Sequence, residues 1–349
     1  MAHEIAITGR AIGPGHPPYI VAELSANHGG SLDRALNIMA AAKAAGADAV
    51  KLQTYTADTI TIDHDGPDFR ISGGLWNGRR LYELYQEAHT PWAWHEALFA
   101  KGRELEITVF STPFDDSAVD LLERLGAPAY KIASFEMVDV PLVRRVAATG
   151  KPVIMSTGMG SPQEIGDAMK AFRDGGGHEL VLLHCVSGYP TPVEQSNLRR
   201  IPRLAAECGC PVGLSDHTLG VEAAIAAVAL GACVIEKHVT LRRADGGPDA
   251  AFSLEPHELA ALVRGAKAAF AALGTGEEAR AAVEQASKVF RRSIYVVRDL
   301  DAGEPFTAEN VRIIRPGYGL PPRELERLIG RKARRALTRG TALTWDAVE

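Results

Sequence analysis

The sequence predicts a (β/α)8 TIM barrel followed by a small, separate C-terminal domain. Three observations carry that prediction. Eight short apolar runs alternate with longer amphipathic stretches between Tyr19 and about Leu273, the number of β–α units that closes a parallel barrel. A doubly wound sheet would alternate in the same way, but its first strand–helix turn needs a Gly-rich phosphate loop. Here that turn reads SANHGG, without G-x-G-x-x-G. After residue 287 the texture changes to short strand-like pieces separated by turns.

The strand-like runs are YIVAEL (19–24), AVKLQ (49–53), ITVFS (107–111), AYKIAS (129–134), PVIMST (152–157), LVLLHC (180–185), PVGLSD (211–216) and VIEKHVT (234–240). Continuous apolar runs of this length suit strands covered by helices. Most follow a Gly-containing turn, as in AAGADAV and LGACV. Helical patterns fill the intervals at 32–45, 116–125, 140–149 and 221–230, and Ser31, Asp115, Ser161 and Ser196 stand where N-caps are expected. Residues 255–273 read as the closing helix of a barrel domain spanning 1–273, and 274–288 as a polar, alanine-rich linker. Residues 289–349 then form a domain too small to be very stable alone, expected to lean on the barrel or on a partner chain.

Composition narrows the function. A net charge of −5 lacks the basic excess of a nucleic-acid binder. No apolar run approaches the length of a membrane span, and the N-terminal residues lack a signal-peptide pattern. Four cysteines in 349 residues are too few for a disulfide scaffold, and Cys208 and Cys210 lack CxxC spacing. The expectation is a cytoplasmic protein with reduced thiols and neither nucleic-acid nor membrane partners.

Polar residues collect at the C-terminal ends of the strands, the catalytic face of such a barrel. They are Glu23; Lys51 and Gln53; Ser111 and Thr112; Lys131, Ser134 and Glu136; Ser156; His184, Ser187 and Tyr189; Ser215, Asp216 and His217; and Glu236, Lys237 and His238. Any one serine there is as often a layer-filling residue as a ligand contact. Lys51 and Lys131 inside apolar strands are harder to explain that way, because unpaired buried charge is costly, and no equal number of nearby acids is evident. A phosphate- or carboxylate-bearing ligand is the economical reading. His217 and His238, on neighbouring strand ends, suit a divalent transition metal whose remaining positions stay open for Lewis-acid chemistry on a carbonyl. Glu23 is placed as a general acid/base or to stabilise a developing cation. Condensation of phosphoenolpyruvate with an aldose matches this inventory, although composition and spacing alone do not reach that reaction. A Schiff-base aldolase using Lys131 is a competing class, and it leaves the histidine pair unexplained.

The chain resembles the nonulosonic (sialic) acid synthase family through AELSANHGG (22–30), GADAVKLQT (46–54), YKIASFE (130–136), MSTGM (155–159), LLHCVSGYPTP (182–192), GLSDHT (213–218), IEKHVTL (235–241) and GPDAAFS (247–253). Residues 303–322, GEPFTAENVRIIRPGYGLPP, resemble the antifreeze-like (SAF) module of that family. The stretch 65–95 resembles its pseudaminic acid branch more than its N-acetylneuraminate or legionaminate branches, departing where Ala93 replaces a usual Glu. The resemblance implies that phosphoenolpyruvate is held by Lys51, Gln53, Thr112, Lys131, Ser134, Ser156, Ser187 and Ser215. Ser187 stands where the neuraminate branch has Asn. It implies a divalent metal on His217 and His238, usually manganese, with cobalt or magnesium as substitutes. An amino-sugar aldehyde would contact Glu23, Glu136, Tyr189 and Asp249, with Arg315 of the second domain closing over it in a domain-swapped homodimer.

Overall fold

The computed structural model describes residues 4–277 and 281–349, so residues 278–280 of the expected linker lie outside the described residues. The chain divides into two compact units, Met1–Gly274 and Thr275–Glu349.

In the first unit, β1 (Ile5–Ile7) and β2 (Arg10–Ile12) form an antiparallel hairpin. Strands of three residues are too short to leave a periodic signal, and the sequence did not predict this pair. The eight predicted runs become β3 (Tyr19–Glu23), β4 (Ala49–Thr54), β5 (Thr108–Pro113), β6 (Tyr130–Ile132), β7 (Val153–Ser156), β8 (Leu180–Cys185), β9 (Val212–Asp216) and β10 (Val234–His238). They close in sequence order, all parallel, with β10 pairing back onto β3. The barrel prediction holds.

Side chains alternate across the barrel wall. Tyr19, Val21, Ala49, Phe110, Ala129, Ile154, Val181, Leu183 and Val234 fill the interior, and Ile5, Ile7 and Ile12 of the hairpin join that cluster. The hairpin therefore stoppers the N-terminal end with apolar surface. Gly213 sits in this wall because a Cβ there would lie 2.3 Å from the Val234 carbonyl oxygen and 2.7 Å from Leu183. The outward set, including Ile20, Val50, Leu52, Ile132, Leu182 and Ile235, packs against the helices in the larger core.

Ser31, Asp115 and Ser161 each accept a backbone N–H in the first turn of the helices Leu32–Ala45, Asp116–Arg124 and Pro162–Asp174. Ser196 does not cap a helix; it follows the short turn Val193–Gln195, and its carbonyl accepts from His184 Nε2 at 2.7 Å. Ala93 is exposed in the turn Trp92–Trp94, which leads into the helix His95–Glu104. No helix among the described residues is long and apolar enough to cross a membrane. The second unit pairs β11 (Ser293–Val296) with β12 (Val311–Ile314) around its own core, which includes Ile294, Phe306, Leu328 and Leu343.

Four strand-end polar residues belong to the strand–helix layer and not to the barrel mouth. His184 takes the Ser196 carbonyl, and Ser111 Oγ pairs with Thr54 Oγ1 at 2.6 Å. Lys237 Nζ lies 2.7 Å from Asp216 Oδ2 and donates to the Thr218 carbonyl at 2.6 Å, both partners of the ion pair being almost wholly buried. Removing one partner strands the other's charge in the core. Lys237→Met is therefore expected to lower stability by about 3–5 kcal/mol, read from urea unfolding; a loss below about 1 kcal/mol would show that Asp216 finds another partner or stays hydrated.

Candidate active site

A cavity of about 740 Å3 opens at the C-terminal end of the barrel. Its floor is built from residues that the alternation turns inward on consecutive strands. Lys51 Nζ stands 3.2 Å from Glu23 Oε2 and 3.0 Å from Glu236 Oε1. Lys131 Nζ lies 3.7 Å from the same Glu236 oxygen and donates to Ser156 Oγ at 2.7 Å. Ser215 Oγ donates to Glu236 Oε1 at 3.0 Å, and Gln53 Nε2 donates to Glu23 Oε1 at 2.9 Å. The two lysines thus have two acids beside them, correcting the expectation that they lack partners. Glu236 was not singled out as a site residue. The signal was present, since residues two apart on one strand share a side, and Glu236 sits two before His238.

Charge and burial compete across this cluster. Burial pushes the Glu23 carboxyl up, with Lys51 opposing. At Glu236 burial acts in the same sense, but Lys131 and Lys51 outweigh it and keep the carboxyl ionised, below its usual range. Burial lowers Lys131 to about 8 against the pull of Glu236. Burial would also lower Lys51, yet Glu23 and Glu236 hold it above its ordinary value.

Several polar atoms around the cavity have no hydrogen-bond partner: Glu236 Oε2, Glu136 Oε2, Thr112 Oγ1 and His238 Nδ1. A buried polar atom left unpaired costs about 1–3 kcal/mol, so such a concentration marks a place for a polar ligand. Glu23 and Thr112 lie beneath the cavity surface, whereas Lys51, Gln53, Lys131, Ser134, Glu136, Ser156, Ser187, Tyr189, Ser215, His217, His238 and Asp249 line it. Gly158 completes the serine side. Its N–H donates to Ser134 Oγ at 3.1 Å, and a Cβ there would strike Ser187 Oγ at 2.4 Å and Ser134 Oγ at 2.7 Å. Cys185 and Ser25 also line the cavity, neither singled out in the sequence as a site residue.

The His217 and His238 rings lie 5.5 Å apart. His217 Nδ1 is 3.1 Å from the Val186 carbonyl, which can only accept, so Nδ1 carries a proton and Nε2 is the nitrogen left for a ligand. Burial would lower the ring's pKa, but Cys185 and the Val186 carbonyl outweigh it and raise it. Burial, then the charges of His217 and Lys51, push the His238 pKa well below its usual value. Two imidazoles at this spacing, one with an unpartnered nitrogen, fit a divalent cation that takes the place of any further proton on His217. Among the described residues no group of three or more His, Cys, Asp or Glu is gathered to enclose a metal, so an ion on this pair would complete its shell with water or substrate. Tyr189 packs on His217 at 4.3 Å, and Asp249 accepts the Ser25 hydroxyl. Arg315 belongs to the second unit, where it follows β12 and is exposed.

Residues 38–278 match the NeuB family profile. The chain belongs to the NeuB family. Residues 291–349 match the SAF domain. This NeuB family member is 45% identical to the pseudaminic acid synthase of Campylobacter jejuni over 325 residues, spanning 93% of this chain and 95% of that protein. It is 42% identical to the pseudaminic acid synthase of Helicobacter pylori, spanning 95% of this chain and 98% of that one. The crystal structure of the N-acetylneuraminic acid synthetase of Leptospira borgpetersenii in complex with citrate aligns with a TM-score of 0.73 at 33% identity, covering 81% of this chain and 94% of that one.

Glu136 offers a direct check of the cavity's polarity. Burial raises its carboxyl to about 7, with its own backbone N–H and Lys131 opposing. Its folded pKa exceeds the unfolded one, so the native state binds more protons between about pH 4.5 and pH 7. Its contribution to stability is therefore full at low pH and is lost as pH rises through about 7. Relative to wild type, Glu136→Gln is expected to gain stability between pH 5 and pH 8, read from urea midpoints at both pH values. An unchanged difference would place Glu136 in water.

Proposed function

We propose that this chain is a pseudaminic acid synthase, condensing phosphoenolpyruvate with open-chain 2,4-diacetamido-2,4,6-trideoxy-altrose to give a nine-carbon nonulosonic acid and phosphate. The observation that carries this reading is the convergence of Lys51 and Lys131 on one cavity, in a chain whose relatives over 93–95% of its length are pseudaminic acid synthases.

Lys51 and Lys131 meet the phosphate and carboxylate charges, and Ser134, Ser156, Ser187, Ser215, Gln53 and the buried Thr112 supply further hydrogen-bonding groups. Held this way, C3 of phosphoenolpyruvate attacks the aldehyde carbon, forming the new C–C bond, pushing the C=O electron pair onto oxygen, which takes up a proton to become a hydroxyl, and leaving positive charge at C2. The Glu23 carboxylate stabilises that charge and takes a proton from the water that adds at C2. The C2–O bond to phosphate then breaks, the phosphate leaving with the electron pair and taking up the proton released from the new C2 hydroxyl, which becomes the ketone. Glu136, Tyr189 and Asp249 orient the sugar, and Glu136, part-protonated near pH 7, is able to donate as well as accept. His217 and His238 would hold the divalent cation, manganese first, which when bound supplies Lewis-acid polarisation of a carbonyl. In this proposal the reaction runs in the cytoplasm, where phosphoenolpyruvate is made and Cys185, Cys208, Cys210 and Cys233 stay as the free thiols seen here.

Phosphate release from phosphoenolpyruvate with a panel of sugars tests the reading. The 6-deoxy diacetamido sugar is expected to exceed N-acetylmannosamine in kcat/KM by about 10–200-fold. Chelation is expected to abolish turnover and manganese to restore it. Equal constants, or preference for another sugar, would move the assignment to an N-acetylneuraminate or legionaminate synthase, and full activity after exhaustive chelation would remove the metal.

The proposal extends to a domain-swapped homodimer in which Arg315 of one chain reaches the partner's barrel. Exposed apolar side chains on the loops beyond the strands support a protein partner over this rim: Phe135, Val138, Met159, Val193 and Leu219, each 54–64% exposed. Glu23→Gln and Arg315→Ala are each expected to be nearly inactive as homodimers. On random subunit exchange half the dimers are mixed, each with one intact site, so about a quarter of wild-type activity should return. No recovery would mean that Arg315 serves its own barrel or none.

A further inference from the structure

The wall of the cavity opposite the charged floor has a different chemistry. Residues 60–88 contribute Ile60, Ile71, Trp76, Leu84 and Ala88 to the lining, with the hydroxyls of Ser72 and Tyr85 among them and no charged side chain. The charged residues of this segment pair with one another toward solvent, as Arg80 does with Asp63 at 2.5 Å and Arg79 with Glu87 at 2.5 Å. Trp76 is anchored twice. Its indole N–H donates to the Pro248 carbonyl at 3.0 Å, tying this loop to the one that carries Asp249. Its ring also lies 5.6 Å from that of Tyr189, which in turn rests on His217. An apolar surface is thereby held in place in the same cavity as the lysines.

A sugar whose aldehyde meets phosphoenolpyruvate over the lysines must direct the other end of its carbon chain away from the floor. We propose that Trp76, with Ile60 and Ile71, packs against that terminal carbon and selects a methyl group over a hydroxymethyl group there. The inference rests on the function proposed above and assigns its sugar selectivity to this wall. Covering a methyl removes apolar surface from water on both partners. A hydroxyl packed against Trp76, Ile60 and Ile71 loses its water to side chains that offer it no free donor or acceptor, the indole N–H being already engaged, and it regains a partner only by turning toward Ser72 or Tyr85.

The test compares kcat/KM for the 2,4,6-trideoxy sugar and for its 6-hydroxy counterpart in wild type, Trp76→Ala, Trp76→Phe and Ile71→Thr, with KM for phosphoenolpyruvate measured alongside. Wild type is expected to favour the 6-deoxy sugar by about 10–200-fold. Trp76→Ala should bring that ratio to within about threefold of unity, mainly by losing the 6-deoxy sugar, while KM for phosphoenolpyruvate stays within about twofold. Trp76→Phe keeps the apolar face without the bond to Pro248 and should retain most of the selectivity. Ile71→Thr, close in size and on a partly exposed loop, should lower the ratio several-fold even if Trp76→Ala folds poorly. A parallel fall for both sugars in Trp76→Ala, with the ratio unmoved in Ile71→Thr, would overturn the inference and leave Trp76 as a loop fastener. Equal use of both sugars by wild type would overturn it while leaving the synthase reading standing. Absence of phosphate release with either sugar would remove the synthase reading and the inference with it.

Discussion

Two ammonium groups buried at the end of a closed barrel are the constraint that the rest of the site answers. Lys51 and Lys131 are almost without solvent contact, and in an apolar interior neither would keep its charge unaided. Glu236 resolves this by placing one oxygen between them, 3.0 Å and 3.7 Å away, while Glu23 reaches Lys51 from the neighbouring strand. The four groups balance formally, but the balance is not hydrogen-bond saturation. Glu236 Oε2 remains without a donor. An arrangement that is neutral yet under-bonded is stable enough to fold around, and it stays receptive to a ligand bringing its own donors and charge.

That receptivity depends on the opposite half of the barrel being closed. The interior toward the N-terminal end is packed with Val21, Phe110, Ile154, Leu183 and Val234 and stoppered by the hairpin isoleucines. Water has no apolar-free route up through the floor, so the charges face one opening only. Outside the barrel the same alternation sends Lys237 to Asp216 and His184 to the Ser196 carbonyl. One-residue steps along a strand thus separate groups that meet a ligand from groups that brace the strand–helix layer.

The barrel was legible in the sequence because its signals are local and repeated. Each apolar run is long enough to read, and Ser31, Asp115 and Ser161 mark helix starts by hydrogen bonds that involve only their own next turn. The hairpin at residues 5–12 was not legible, because three-residue strands carry no period and their meaning lies in contacts with distant strands. At the site, Lys51, Lys131 and the serines could be picked out as polar residues interrupting apolar runs. Glu236 was harder, since EKH places three ionisable residues in a row and only the direction of the first barrel-facing position separates Glu236 and His238 from Lys237. Ser196 misled because a serine before a helical stretch reads as a cap. The bond that matters there is made by its carbonyl to His184, and a carbonyl carries no residue-specific signal.

The cavity also divides its work between kinds of structure. Its floor is carried on strands, where each side chain is positioned by a closed hydrogen-bonded sheet and its direction is set by the pleat. Its opposite wall is carried on the segment 60–88 and fastened by single bonds such as that from Trp76 to Pro248. Groups that must hold a fixed spacing against a small polyanion need the first kind of support, because an error of an ångström in a charge contact costs much of its energy. Groups that only need to present the right polarity to the far end of a longer molecule tolerate the second. Changes in the wall can therefore alter which molecule is accepted while leaving the floor, and with it the bond-forming chemistry, in place. The physical reason is that Lys51, Lys131, Glu23 and Glu236 hold one another, and none of them depends on a residue of that segment for its hydrogen bonds or ion pairs.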